Sequence, residues 1–381
     1  MSNTGKRQQQ QIAHYQHVKN MTPKTEIRNQ YAGTTTGILD EKEADTTDGG
    51  LAKDIQKLKQ ADQRKSEIVW LNVVLFGIIT IWALYGFYLF FSFSIKWQSY
   101  VFAFAVAYMS GFGVTVGAHR LWSHRAYKSK PAMEIMLMIF NCMAFQNSIY
   151  DWCRDHRVHH KFSETDADPH NAMRGFFFSH MGWLMVKKHP DVKTKGQTVD
   201  MSDLEKNPIV MFQHKYYIPL MLSFTFLLPT VIPVIWWGES VKNAWFVCAV
   251  MRWYFVLHST WCINSVCHLF GNKPYDKSFN PGENPFISTM TIGECYHNYH
   301  HVFPWDYKAA ELGGSSANLS SWFIEFFAKL GLAYDLKTVS PETIKRRVLR
   351  TGDGNHHVWG WGDKDQTKEE RECAVIRNKS S

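Results

Sequence analysis

Four apolar runs constrain this chain more than any other feature: about residues 68–93, 99–118, 217–237 and 245–267. Each is long enough for a helix to cross the roughly 30 Å hydrocarbon core of a bilayer. Backbone inside a bilayer must satisfy its own hydrogen bonds, so such runs fold as helices. The runs form two pairs, linked by SIKWQ and by GESVKNA. Two hairpins make four crossings, and residues 1–67, 119–216 and 268–381 then share one side. The opposite links carry only Lys96 and Lys242, while the shared side holds nearly all of the 42 Lys and Arg. The positive-inside rule puts that side, with both termini, in the cytosol. The mean hydropathy of -0.28 hides this pattern, because polar arms and loops dilute the apolar runs.

The formal net charge of +8 comes with no basic helix or nucleic-acid motif, so no nucleic-acid partner is expected. A basic cytosolic face, or an acidic partner or substrate, accounts for it. Residues 1–66 read as a polar, largely disordered arm, and 364–381 as a polar tail. The polar N-terminus predicts no cleavable signal peptide. Seven scattered Cys, with no C-x-x-C, read as free thiols. The run 134–150 is short for a span and reads as an interfacial or buried helix. Arg252, His258 and Asn264 fall inside the last span, where polar groups face protein or a cavity. Pro229 and Pro233 are expected to kink the third.

The histidines lie between the spans. His156, His159 and His160 stand at i, i+3 and i+4, one face of a helix. His297, His300 and His301 repeat that spacing. His119 and His124, five residues apart, fall about 140° apart on an α-helix, so both reach one site only if the helix ends or deforms there. His268 closes the last span. All nine fall on the cytosolic side of a topology drawn without them. Imidazole suits iron, copper and zinc. A structural zinc takes four ligands, so nine histidines suit two metals. An all-imidazole pair at a membrane face suggests iron activating O2 against an unreactive C–H bond. The other histidines, His170 among them, read as surface or packing residues.

GAHRLWSH, DHRVHHKFSETDADPHN and HNYHHVFPWDY resemble the three histidine boxes of membrane acyl-CoA desaturases, and NSVCHLFG resembles that family's N-S-x-x-H-x-x-G segment. The similarity runs from about Thr47 to Asp363 and is closest to the insect branch of the Δ9-type enzymes. The resemblance implies an all-α membrane protein: four transmembrane helices and a cytosolic helical cap, within a desaturase domain over 67–363. It implies two iron ions held by the nine histidines, His119, His124, His156, His159, His160, His268, His297, His300 and His301, with Asn264 contributing through a bound water. It implies a cis double bond made in a fatty acyl-CoA with O2 as co-substrate, in the endoplasmic reticulum. Electrons would come from cytochrome b5 and NADH-cytochrome b5 reductase. His189-Pro190 is followed by Asp191 rather than by the Gly-Gly of a b5 motif, so the donor is expected to be a separate protein.

The same resemblance assigns CoA contacts to Arg154, Asp155, Lys187 and Lys188, and a substrate contact to Asn72. It gives Gln146, Trp152 and Thr260 the bend of an acyl tunnel. Two positions depart from the family. Gly293-Glu294-Cys295 replaces the usual Gly-Glu-Gly, which makes Cys295 a packing residue or a ligand. Ala107 and Gly111 replace a bulkier pair at the tunnel end, which leaves room for a longer or differently seated chain. The product is then expected to be Δ9 or that of a specialised lipid, hydrocarbon or pheromone desaturase. A hydroxylase or acetylenase on the same scaffold, and a non-catalytic lipid-binding protein, are the rival readings.

Overall fold

The structure is a computed structural model and describes residues 66–311 and 318–356, with Lys368 and Glu372 besides. The expected arm lies outside the described residues except for Ser66, and the expected 363 boundary and most of the tail lie outside them too.

The protein is an integral membrane protein with four helices long and apolar enough to span: α1 (Trp70–Phe91), α2 (Trp97–Ser123), and, later in the chain, Tyr217–Trp237 and Val241–Leu269. Their lipid-facing surfaces are exposed aliphatic and aromatic side chains, such as Leu71, Trp82, Ile235 and Trp236. Contact between spans uses small residues, as bilayer helices do. At Gly86 a Cβ would stand 2.3 Å from the Phe246 carbonyl oxygen, so only glycine permits that approach. The two hairpin links meet at one end. Glu239 Oε2 accepts from the Lys96 backbone N–H (2.8 Å) and the Ser99 hydroxyl (2.7 Å), and Lys96 Nζ donates to the Trp237 carbonyl.

Between the hairpins run α3 (Pro131–Ala144), α4 (Ile149–Phe162) and α5 (Pro208–Lys215), with short helices of at most seven residues between α4 and α5. The α3 and α4 axes bend by 81°. The break is local: Phe145 and Asn147 adopt left-handed φ of 47° and 76°, and Ser148 caps α4 by accepting from the Asp151 N–H. The third span is α6 (Tyr217–Trp237) and the fourth α7 (Val241–Leu269). Pro233 lies inside α6, which runs on through it, and a π-wound stretch, Leu222–Leu227, precedes Pro229. The guanidinium of Arg252 on α7 is buried in protein, donating to Ser110 Oγ and to the Met143 and Thr225 carbonyls.

The cap is completed by α8 (His297–Val302), α9 (Leu319–Lys329) and α10 (Pro341–Thr351). Trp122, Leu137, Ile149, Cys153, Leu204 and Ile324 form its core, tying the end of α2 to α3, α4 and α9. The only strand pairing among the described residues beyond isolated bridges is a two-residue one of β1 (Lys128–Ser129) with β2 (Ala333–Tyr334). Cys267 and Cys295 are joined by a disulfide, with Cα atoms 6.1 Å apart and both residues fully buried. That corrects the reading of every cysteine as a free thiol, and it occupies the sulfur of Cys295.

Candidate metal centre and the cavity beside it

The end of α2 resolves the spacing of His119 and His124. From Gly113 to Ser123 the helix is wound as a π-helix, and the His124 N–H donates to the His119 carbonyl (3.1 Å), an i to i+5 bond. Residues five apart then lie nearly over one another. The two rings come to 4.9 Å between centroids.

Nine imidazoles converge in two groups. His119, His124, His156, His160 and His300 form one, and His159, His268, His297 and His301 the other. The i, i+3, i+4 spacing explains the division. On α4 the i and i+4 residues, His156 and His160, face the first group, and His159 turns to the second. On α8 the pair His297 and His301 face the second group, and His300 turns to the first. Helix α2 completes one group with two residues and α7 completes the other with His268.

Three carboxylates, two of them buried and that of Glu164 partly buried, set the ring orientation. His119 Nδ1 donates to Glu294 Oε2 (2.9 Å), His159 Nδ1 to Asp168 Oδ1 (2.9 Å), and His268 Nδ1 to Glu164 Oε1 (2.8 Å). A carboxylate accepts only, so Nδ1 holds the proton and Nε2 presents a lone pair. Burial alone would raise the Asp168 carboxyl, but His159 holds it at about 2. Burial would raise Glu294 as well, and Arg120 and His119 hold it at about 2. Sequence reasoning missed this role for all three acids. The signal was available, since ligating histidines commonly donate to carboxylates and Glu164 and Asp168 directly follow the second cluster.

Burial, then repulsion from neighbouring imidazoles, pushes His124, His156, His160, His300 and His301 well below the usual imidazole range. His297 is pushed down to about 3 for the same reasons. These six imidazoles are therefore neutral at physiological pH, the form that binds metal. The Nε2 atoms of the cluster crowd together: His119 to His300 at 2.9 Å, His124 to His156 at 2.8 Å, His160 to His300 at 3.0 Å, and His268 to His297 at 3.0 Å. At this separation either one ring of a pair carries its proton on Nε2, or facing lone pairs repel and a cation among them relieves the repulsion. The donor set thus fits two metal ions. His159, Asp168 and His170 also lie within ligand reach of one another, but Asp168 serves His159, with His170 Nδ1 at 3.6 Å.

A cavity of about 390 Å³ opens beside the first group, lined by His156, Trp152, Asn72, Gln146, Thr260 and Asn264, among others. Trp152 stacks on the His156 ring, with centroids 4.8 Å apart. Asn72 donates to the Leu184 carbonyl (2.7 Å). Asn264 sits one turn before His268. Asp155 lines the cavity and pairs with Arg154 and Lys188, whereas Lys187 pairs with Glu67. A second cavity, of about 210 Å³, includes Ala107 and Gly111 in its lining. Thr260 borders both cavities and accepts from Gln146 Nε2 (2.9 Å). Thr260, held by Gln146, therefore stands between the two mainly apolar spaces.

Comparison with known proteins agrees with this arrangement. The family model described as fatty acid desaturase matches residues 95–310. The chain is 55% identical over 353 residues to an acyl-CoA Delta-9 desaturase of Acheta domesticus, covering 91% of this chain and 97% of that one. It is 53% identical to an acyl-CoA Delta(11) desaturase of Trichoplusia ni, over 82% and 89% of the two chains. It is 50% identical to the stearoyl-CoA desaturase of Homo sapiens, over 79% and 83%.

Proposed function

The chain belongs to the fatty acid desaturase family and is an O2-dependent acyl-CoA desaturase, and we propose that its nine clustered histidines hold two iron ions. The five-histidine group would hold one and the four-histidine group the other, with Asn264 supporting the second through water. The observation that carries this reading is the convergence of nine imidazoles, three of them oriented by carboxylates, beside a mainly apolar cavity. When bound, the irons supply the oxidising chemistry by which O2, two electrons and two protons take two hydrogens from adjacent carbons, leaving a double bond and two waters.

The residues of the chain hold and shape the substrate. Arg154, Lys187 and Lys188 carry the positive charge suited to CoA phosphates, and their carboxylate partners Asp155 and Glu67 would be exchanged for phosphate when CoA arrives. Asn72 would hold the linker near the cavity mouth. An acyl chain running from the larger cavity into the smaller must pass the Gln146–Thr260 bond, which fixes a bend. Trp152 forms the wall between that bend and His156. A fixed bend presents one C–C bond to the metals, which converts binding energy into positional selectivity. The apolar lining keeps water from the reacting carbons.

Electrons would come from cytochrome b5 and its reductase, docking at the basic face that the positive-inside argument makes cytosolic. The membrane would be that of the endoplasmic reticulum, with both termini in the cytosol. Relatives of different regiochemistry stand at nearly equal identity, 55% for the Delta-9 and 53% for the Delta(11) protein, so product position must be measured. Expression in yeast lacking its own desaturase, fed defined fatty acids, with mass spectrometry of double-bond positions, tests the reading. A monoene or diene of fixed position is expected. Hydroxylated products, or none from iron-loaded protein, would overturn it.

A further inference from the structure

We infer that Ile292, a residue outside every histidine box, is the stop that sets how long an acyl chain the inner cavity accepts. This rests on the desaturase reading above, because it assigns the far end of the same cavity.

Gly111 leaves a gap in the wall of α2, but the gap is not open. A Cβ built at Gly111 would stand 2.9 Å from Ile292 Cδ1. The tip of the Ile292 side chain therefore lies over Gly111, and Ile292 itself lines the cavity beside Met290 and Thr291. The space that a small residue at 111 offers is filled from the opposite wall.

The backbone at Ile292 indicates that this position is imposed. Its φ is +52°, a left-handed conformation that a β-branched residue adopts only when its surroundings force it. The surroundings are specific. The Ile292 carbonyl accepts from the Ser320 N–H (3.2 Å) and from Ser320 Oγ (2.9 Å), and Ser320 Oγ is bonded to Thr115 Oγ1 on α2 (2.8 Å). The next residue, Gly293, donates to the Ser288 carbonyl (2.9 Å). A turn clamped between α2 and α9 thus holds an isoleucine in a conformation suited to glycine, with its tip in the acyl cavity. Packing alone would be met by a residue that costs less backbone strain. The same turn supplies Glu294 to His119, so the stop and the metal support share one rigid segment.

The test compares the full-length wild type with Ile292→Gly and Ile292→Phe against a ladder of saturated acyl-CoAs of increasing even chain length. Two readouts are taken: Tm shift on binding, which needs no catalysis, and kcat/KM for desaturation. Glycine adopts the left-handed backbone freely, so Ile292→Gly should fold. Ile292→Gly should move the best-bound and best-used chain at least one ladder step longer. The longer-to-shorter kcat/KM ratio should change by roughly tenfold or more, as expected for extra methylenes in an apolar pocket. Ile292→Phe should move both readouts the other way. The double-bond position counted from the thioester should stay fixed, because the bend at Gln146 and Thr260 is untouched. An unchanged length preference in Ile292→Gly would overturn the proposal, as would a double bond that moves with the methyl end. Binding without any double bond from wild type would instead refute the desaturase reading, and the Tm ladder would still decide the role of Ile292.

Discussion

His119 Nδ1 and Glu294 Oε2 lie 2.9 Å apart, and Glu294 Oε1 accepts at the same time from Arg120 Nη2 (2.8 Å). One buried carboxylate therefore fixes a ring of the five-histidine group and neutralises a buried guanidinium. Glu294→Gln keeps the shape and removes the charge. Such partners of ligating histidines are worth about 10- to 100-fold in metal affinity. Chelator challenge of purified Glu294→Gln should release metal faster than wild type by a factor in that range. Equal retention would make Glu294 a partner of Arg120 only.

Thr260→Val removes the acceptor of Gln146 and leaves a half-buried amide with one bond fewer. A net hydrogen bond of about 1 kcal/mol corresponds to roughly a fivefold change in a ratio. The ratio at issue is the main product over its positional isomers, so a second double-bond position should rise by about that factor. Product mass spectrometry measures it, and an unaltered isomer distribution would remove the bend from this residue pair.

The imidazoles of His124, His156, His160, His300 and His301 are held low in the fold, as is His297 at about 3, whereas a free imidazole titrates near 6.5. Between those values the unfolded chain binds more protons than the folded one. Metal-free protein should therefore lose stability as pH falls below about 6.5, and each such residue contributes at most about 1.4 kcal/mol per pH unit. Asp168, held at about 2, acts in the same direction only below about pH 4, the free carboxylate value. Tm measured on chelator-treated protein from pH 7 to pH 5 should fall steadily. A flat profile would mean that the cluster is charged or solvated.

The Cys267–Cys295 bridge closes a loop of sequence separation 28 and joins the residue before His268 to the turn that carries Glu294. A loop of that length contributes about 3.6 kcal/mol when closed. Alkylation of unfolded protein without reductant should leave both cysteines unmodified, and a Cys267→Ala/Cys295→Ala protein should melt lower. Two alkylated thiols in wild type would show a close pair without the bond.

The spans were legible because apolar composition is dictated by the bilayer at every residue. The helices continue past the apolar limits, to Ser123 rather than 118 and from Val241 rather than 245, since protein packing extends them beyond the lipid. The histidine spacing revealed one-faced clusters, but the division into five and four needed the relative rotation of α4 and α8. The π-winding of Gly113–Ser123 changes only which carbonyl each N–H meets, and residue type does not encode that choice. The carboxylates at 164, 168 and 294 come under the rings only through the fold, which sequence spacing alone does not encode. Ile292 gave no sequence signal, because its role depends on an unusual φ and on a glycine far away in the chain.

Whether nine imidazoles hold two irons is tested most directly by metal analysis of detergent-purified wild type and His160→Ala. About two irons per wild-type chain are expected, as for other two-metal sites. His160→Ala should lose the iron of the five-histidine group and desaturate at background, with the protein still in the membrane fraction. One metal per active wild-type chain would contradict a two-iron site. So would His160→Ala that keeps both irons and substantial activity.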